Sequence, residues 1–272
     1  MPQIRHALAV ATLAISATVA APVHAQAIRN AASFTGNTLP ANDDASTGLV
    51  NLGFNANYFG TTYAQTYVNN NGNLTFNNPL GTYTPFALTA AGTVPIIAAF
   101  FADVDTRGPG SGLTQYGTAF IGGRNVFGVN WIDVGYYFAR VDKLNSFQMI
   151  LTSRVDTGAG NFDIEFNYNR MLWETGESSG GTSAAAGFAA ANGVDFYQLP
   201  GSLVNGALID GGPNALISAS LNSNVLGRYI FEVRNGTIIT PPVSQIPVPG
   251  ALPMLLSGLA LAGLFLRRRK TA

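Results

Sequence analysis

The stretch Phe162-Asp163-Ile164-Glu165-Phe166-Asn167-Tyr168 decides the fold, because apolar and polar residues alternate in it without a break. Successive side chains of an extended chain point to opposite faces, so the four apolar residues share one face. This pattern is typical of a β-strand that buries one face in a core. We therefore predict a strand at residues 162–168, with Asp163 and Glu165 on a solvated face.

The same reasoning predicts further strands on both sides of this stretch. Residues 147–152 are its expected antiparallel partner, since the Gly-, Asp- and Asn-rich residues 156–161 favour a turn. Residues 94–101 are almost continuously apolar, as in a strand buried on both faces. The other predicted strands are residues 62–68, 73–76, 118–121, 125–134 and 228–234. Residues 184–191 could form one or two helical turns. The sequence predicts an all-β, single β-sandwich-like domain over residues 26–240.

Composition restricts the chemistry of this domain. The 272 residues include 14 Lys or Arg, 14 Asp or Glu, two His and no Cys. Both histidines and five basic residues lie in the two chain ends, which leaves nine basic against 14 acidic residues and a formal charge of −5. That balance argues against a nucleic-acid partner. Without His or Cys, a Ser-His-Asp triad, a thiol nucleophile and a His-ligated zinc site are excluded. Carboxylate-based hydrolysis, cation binding through oxygen and adhesion stay open.

The first 25 residues have the features of a secretory signal peptide. Arg5 supplies a positive charge, residues 8–20 form an uncharged apolar run, and Val23-His24-Ala25 provides the small-x-small pattern. We expect cleavage between Ala25 and Gln26, and export across the inner membrane of a bacterium.

The last part of the chain has three segments. Residues 241–249 are a Pro-rich linker that favours an extended stalk. Residues 250–266 carry no charge and are just long enough for a transmembrane helix. Residues 267–272 are a basic tail that the positive-inside rule places in the cytoplasm. We expect a single-pass anchor with the ectodomain outside the cell.

This tripartite end resembles the PEP-CTERM sorting signal of Gram-negative bacteria. The residues that carry the resemblance are prolines in the linker and at the start of the apolar segment, followed by an arginine cluster: Pro247, Pro249, Pro253, Arg267, Arg268 and Arg269. The resemblance implies that an exosortase-like enzyme cuts near the prolines and transfers the protein to the cell envelope or extracellular matrix. An ordinary membrane anchor is the alternative.

An ordered set of blocks in the middle of the chain resembles the NIDO, or nidogen-like, extracellular domain family. The blocks are residues 52–54, 58–60, 68–76, 95–107, 145–152, 162–168 and 186–188. The resemblance implies a module of cell–matrix adhesion, with an extracellular matrix protein or polysaccharide as partner. It supplies no catalytic residues and no cofactor.

The sharpest polar feature is Asp103-Val104-Asp105-Thr106-Arg107-Gly108, directly after the predicted strand at 94–101. Residues two apart in a strand share a face, so the carboxylates of Asp103 and Asp105 could converge. They could bind Ca²⁺ with help from carbonyls of the 108–112 loop. They could also be an acid–base pair of a hydrolase, or be satisfied locally by Arg107 and loop amides.

Two other groups of residues have a structural and a functional interpretation. The Asn-rich turn at residues 69–73 is explained by the tolerance of Asn for left-handed backbone conformations. Five aromatic residues either fill the core or form a platform for sugars: Trp131, Tyr136, Tyr137, Trp173 and Tyr197.

Together these features predict a non-enzymatic adhesion protein of the bacterial surface or matrix. A carboxylate-dependent glycan hydrolase acting on exopolysaccharide is one alternative. A structural matrix component without a specific ligand is the other.

Overall fold

Thirteen β-strands lie within the part of the chain that the computed structural model describes, residues 26–88, 94–176 and 181–239. In chain order the strands are β1 (Asn37–Thr38), β2 (Val50–Tyr58), β3 (Thr61–Asn69), β4 (Asn73–Thr75), β5 (Ile96–Phe101), β6 (Thr114–Ile121), β7 (Arg124–Tyr136), β8 (Arg140–Ser153), β9 (Phe162–Arg170), β10 (Ala185–Ala189), β11 (Phe196–Gln198), β12 (Arg228–Arg234) and β13 (Thr237–Ile239). Two short 3₁₀ turns, Ala31–Phe34 and Leu216–Ser218, complete the regular structure of these residues. The prediction of an all-β chain is confirmed for them.

The strands form two antiparallel sheets. The first sheet has the order β1-β6-β7-β8-β9-β12-β13, and the second has the order β11-β10-β5-β4-β3-β2. Side chains of both sheets share the largest core cluster. Trp131 of β7 stacks on Phe147 of β8 with ring planes 10° apart, and Phe100 of β5 contacts Phe147 from the other sheet. Two sheets around one core is the arrangement of a β-sandwich.

The strand predicted at residues 162–168 is confirmed, and it lies in the interior of the first sheet. β9 pairs with β8 on one side and β12 on the other, and its four apolar side chains are all buried in the shared core. The predicted turn at 156–161 joins β8 to β9. β5 is buried on both faces, as expected from its sequence. Its outer face packs beneath Leu80 and Leu88 in a second, smaller cluster.

The expectation of a solvated face for Asp163 and Glu165 is wrong for Glu165, which is buried. The segment that precedes β1 lies over this face of the first sheet. The amide of Ile28 donates to Asn169, and the Arg29 guanidinium donates two hydrogen bonds to Glu165, at 2.7 and 2.5 Å. The alternating pattern reports which side chains face the shared core, but it cannot show what another segment covers on the opposite face.

The expectation of helical turns at residues 184–191 is also wrong. Residues Ala185–Ala189 form β10, which pairs with β5 on one side and β11 on the other. Gly187 has a φ of +143°, a conformation that a helix does not contain. Small residues are good helix formers locally, but hydrogen bonding on both edges and burial of all five residues favour the strand.

The two chain ends carry predictions that fall outside the described residues. The signal peptide at 1–25 lies there, as do the linker at 241–249, the transmembrane segment at 250–266 and the basic tail. Within residues 26–88, 94–176 and 181–239, none of the helical segments has the length and apolar character needed to cross a membrane.

Candidate functional site

The candidate site begins at Asp103, two residues after β5 ends. The backbone of β5 continues from the core into this position, so the side chain is 1% exposed. Neither carboxylate oxygen accepts a hydrogen bond from any residue that the structure describes. A buried carboxylate without hydrogen bonds is costly, and this one therefore calls for an explanation.

Two further carboxylates face Asp103 from the loop between β1 and β2. Oxygens of Asp43, Asp44 and Asp103 all lie within 4.8 Å of one another, and we call these three residues the acidic cluster. Asp43 Oδ2 accepts a hydrogen bond from Arg107 Nη2 at 2.7 Å, and its Oδ1 has no partner among the described residues. Asp44 Oδ1 accepts from Asn71 Nδ2 at 2.8 Å.

Backbone hydrogen bonds hold the β1–β2 loop in place. The Thr106 amide donates to the Asn42 carbonyl, and the Asn42 amide donates to the Thr106 hydroxyl. Asn42 Oδ1 accepts a hydrogen bond from the Ala45 amide, and this bond closes a tight turn that contains Asp43 and Asp44. The two aspartates are thus positioned by contacts with a segment about 60 residues away in the sequence, which is why sequence patterns did not find them.

The Asn-rich turn between β3 and β4 forms another wall of the site, by a mechanism that the sequence did not predict. Among residues 69–73 only Gly72 has a positive φ, so left-handed backbone does not explain the asparagines. They are buried and act through their side chains. Asn70 Nδ2 donates to the carbonyls of Asp43 and Val104, and Asn71 Oδ1 accepts from the Val104 amide.

Asp105 is brought into a different arrangement from Asp103. Its two oxygens accept hydrogen bonds from Arg107 Nε and Nη2 at 2.9 and 2.6 Å, and from the Ala139 amide at 2.7 Å. For Asp105 this geometry agrees with the third interpretation of the sequence, in which Arg107 and a loop amide satisfy the carboxylate locally. Asp103 therefore lies with Asp43 and Asp44, whereas both oxygens of Asp105 accept hydrogen bonds from Arg107 or Ala139.

The electrostatics of the site follow from this arrangement. Burial, and then repulsion by Asp43, Asp44 and Asp105, raises the pKa of Asp103 to about 7. Burial and the neighbouring aspartates Asp105 and Asp44 raise the pKa of Asp43 to about 6. Burial alone would also raise the pKa of Asp105, but its hydrogen bonds from Arg107 and Ala139 outweigh that effect and lower it. The acidic cluster thus holds more negative charge than its protein partners neutralise, and it can take up protons or a hard cation.

Gly176 closes the site on one side. A Cβ atom at this position would overlap the Asp103 side chain, so only glycine allows the backbone to lie against that carboxylate. No sequence pattern predicts this contact, because it depends on two segments that meet only in the folded chain.

The aromatic residues considered as a sugar platform are placed mainly in the interior. Trp131, Tyr136 and Trp173 are buried in the shared core. Tyr197 is half-buried and stacks on Phe188, while Tyr137 is half-buried beside the exposed Phe138. The core-filling interpretation is therefore correct for the two tryptophans and Tyr136.

Comparison with known proteins finds one matching family model and several curated relatives. The profile of the Nidogen-like domain (NIDO) family matches residues 64–235, from β3 to the end of β12. Alpha-tectorin of Homo sapiens is 31% identical over 234 residues, covering 74% of this chain and 10% of its own length. Alpha-tectorin of Mus musculus is 30% identical over 239 residues, with the same coverage.

Nidogen of Drosophila melanogaster is 31% identical over 221 residues, which cover 70% of this chain and 15% of the fly protein. The chain therefore spans only about a tenth to a seventh of the length of these curated relatives. No solved structure matches it significantly. Because the family profile covers more than half of the sequence, the chain belongs to the Nidogen-like (NIDO) domain family.

Proposed function

We propose that this protein is an exported, non-enzymatic module of the cell surface or extracellular matrix that contacts a matrix protein or a polysaccharide. The observation that carries the proposal is the family membership over residues 64–235, shared with a nidogen and with alpha-tectorins. The architecture of this chain is a pair of sheets around one core, which presents loops and edges for contact.

The chemistry of the domain supports a binding role over hydrolysis. Residues 26–249 contain neither His nor Cys, so acid–base catalysis would depend on carboxylates, Tyr or Lys143. Asp103 and Asp105 were the best candidates for a catalytic pair. Asp105 is held by Arg107 and the Ala139 amide, so it is not free to exchange protons with a substrate beside Asp103.

Export and sorting are the second part of the proposal and rest on the sequence of the two ends. A signal peptide is removed between Ala25 and Gln26. An exosortase-like enzyme of a Gram-negative bacterium recognises the PEP-CTERM-like end with Pro247, Pro249 and Pro253, followed by the transmembrane segment at 250–266 and the cytoplasmic cluster at 267–269. Gln26 is exposed and Ala27 is buried, so cleavage at this bond would leave the segment that covers Glu165 intact.

Binding of the full chain to immobilised matrix proteins and polysaccharides tests the function. We expect saturable binding to at least one of them, which is lost when the chain is thermally unfolded. A different result would overturn the proposal: no binding, together with release of reducing ends from exopolysaccharide by the wild type but not by a folded Asp103→Asn variant. That outcome would establish the hydrolase alternative.

Mass spectrometry of the protein recovered from its native envelope tests the sorting. We expect an N-terminus at Gln26 and a C-terminus upstream of residue 267. An intact Ala272 in the mature protein would contradict sorting by cleavage and would favour an ordinary anchor.

A further inference from the structure

We propose that Asp43, Asp44 and Asp103 bind a calcium ion that fastens the β1–β2 loop to the end of β5. This inference is independent of the ligand that the domain contacts and of how the chain is sorted.

The strongest support comes from Asp103 itself. Its carboxylate is almost completely buried, and both of its oxygens lack a hydrogen-bond donor among the described residues. One of these oxygens lies within 4.8 Å of oxygens from both Asp43 and Asp44, so the unpaired group faces the cluster. Asp43 Oδ1 is also inaccessible and has no donor among the described residues. A cation between these oxygens would compensate all of them together.

The charge balance of the region favours a divalent cation. Four aspartates, the acidic cluster and Asp105, lie close together, and Arg107 is the one guanidinium with a described ion pair to any of them. Arg107 forms ion pairs with Asp105 at 2.6 Å and with Asp43 at 2.7 Å. It therefore neutralises one of four negative charges when all of them are ionised, and it does not reach Asp103 by any described hydrogen bond. A divalent ion would remove two of the remaining three charges.

The ligand chemistry favours calcium among divalent ions. All three side chains offer only oxygen, which suits hard cations. Oxygens on opposite sides of a calcium ion lie roughly 4.6–5.2 Å apart, because each Ca–O distance is about 2.3–2.6 Å. The spacing of the cluster falls within that limit. Mg²⁺ requires a smaller and near-octahedral shell and usually keeps several waters, so we expect it to bind more weakly.

The expected consequence of binding is a firmer connection between three segments that are distant in sequence. Asp43 and Asp44 belong to the β1–β2 loop, Asp103 follows β5, and the β3–β4 turn touches both through Asn70 and Asn71. One oxygen of Asp43 and one of Asp44 already serve Arg107 and Asn71. We therefore expect an affinity typical of extracellular calcium modules, about 10⁻⁴–10⁻³ M.

Thermal unfolding of the full chain, after treatment with EGTA and then with 10 mM CaCl₂, tests the proposal. We expect calcium to raise the Tm of the wild type by about 3–10 °C, from the linkage between binding and stability. Asp103→Asn removes the buried negative charge. In EGTA its Tm should equal or exceed that of the wild type, whereas in calcium it should be lower. If Asp103 had a purely structural role, the variant would have the lower Tm both in EGTA and in calcium.

Two further variants serve as a second test of the cluster and as a charge-matched control. Asp44→Asn should also abolish the calcium response. Because Asp44 is partly exposed, this variant provides the test if Asp103→Asn fails to fold. Glu232→Gln changes the charge equally on β12 and should retain the full response. Calorimetric titration with CaCl₂ should show binding to the wild type and to Glu232→Gln only.

Three results would overturn the proposal. The first is no calcium effect on the wild type, which would mean that protonation, and not a calcium ion, relieves the excess negative charge of the cluster. The second is an unchanged effect in both Asp103→Asn and Asp44→Asn, which would place the ion elsewhere. The third is an equal response to MgCl₂, which would contradict the choice of calcium.

Discussion

At the scale of single residues, the buried carboxylate of Glu165 is held by several partners, unlike that of Asp103. Glu165 on β9 accepts two hydrogen bonds from Arg29 and one from Asn167 Nδ2 at 2.9 Å, and Arg228 lies 3.3 Å away. The Arg29 side chain is 36% exposed, whereas that of Glu165 is 5% exposed. The carboxylate is thus the desolvated centre of this network, and removing its charge would deprive Arg29 and Arg228 of the one counter-ion that each has among the described residues.

We expect Glu165→Gln to lower the free energy of unfolding by about 1–3 kcal/mol, because it removes the charge from a buried, hydrogen-bonded pair while keeping its shape. Glu232→Gln on the adjacent strand is the matched control and should change stability by less than about 0.5 kcal/mol, since that side chain is 45% exposed. Urea unfolding measures both values. Equal effects of the two changes would show that the network under the N-terminal segment does not contribute.

At the scale of elements, the turn between β3 and β4 is where the two strands, β5 and the acidic cluster meet. The Phe100 amide donates to the Gly72 carbonyl at 3.1 Å, and the Trp131 indole donates to the Asn70 carbonyl at 2.9 Å. Gly72 has a φ of +76°, and a Cβ atom there would overlap the carbonyl oxygen of Phe100. The turn therefore needs glycine both for its conformation and for the close approach of β5.

We expect Gly72→Ala to destabilise the protein by about 4 kcal/mol or more, since strain at a positive φ adds to a clash between backbones. Gly60, in the turn between β2 and β3, has a similar φ of +85° but open space where a Cβ atom would lie. Gly60→Ala should therefore cost only about 1 kcal/mol, the conformational part of the effect. Comparing the midpoints of chemical unfolding of the two variants separates the cost of the backbone clash from the cost of the positive φ. A similar cost at both positions would refute the close approach at Gly72.

At the scale of the whole molecule, tyrosine hydroxyls connect elements across the interior. Tyr168 of the first sheet donates to the Ala99 carbonyl of the second sheet at 2.6 Å. Tyr58 lies within hydrogen-bonding distance of the Ile96 and Ala189 carbonyls, which joins β2 to β5 and β10. Burial raises the pKa of both phenols well above the usual 10, and it also raises the pKa of Tyr229.

These tyrosines predict a loss of stability at alkaline pH. Each pKa is higher in the folded than in the unfolded chain, so the stabilisation is complete below pH 10 and decreases as the pH rises above it. Three such groups should lower the free energy of unfolding by about 4 kcal/mol per pH unit there, at about 1.4 kcal/mol for each proton.

Absorbance at 295 nm during alkaline titration measures this effect. Three of the ten tyrosines should ionise only when the chain unfolds. Tyr58→Phe should be somewhat less stable at neutral pH and should show a shallower dependence above pH 10. A single smooth titration of all ten tyrosines in the folded state would contradict the prediction.

The sequence predicted the parts of the fold that depend on local patterns. Alternation placed β9, β8 and β12, continuous apolar character placed β5, and turn residues placed the hairpins at 69–72 and 122–123. The same patterns missed β2, since its residues 50–58 contain a register shift against β3 and alternate poorly. They also misread residues 184–191, where pairing on both edges outweighs the helical preference of alanine.

The sequence by itself determined that the domain is all-β, that it lacks histidine and cysteine, and that it resembles an extracellular family. The first two properties follow from composition and from the two-residue period of a strand, which neighbouring residues specify, whereas the resemblance rests on an ordered set of sequence blocks. Tertiary structure alone decided that Glu165 is buried and that Asp103 meets Asp43 and Asp44 instead of acting with Asp105. The physical reason is that burial and electrostatic environment depend on segments up to 136 residues apart, whose meeting no local pattern records.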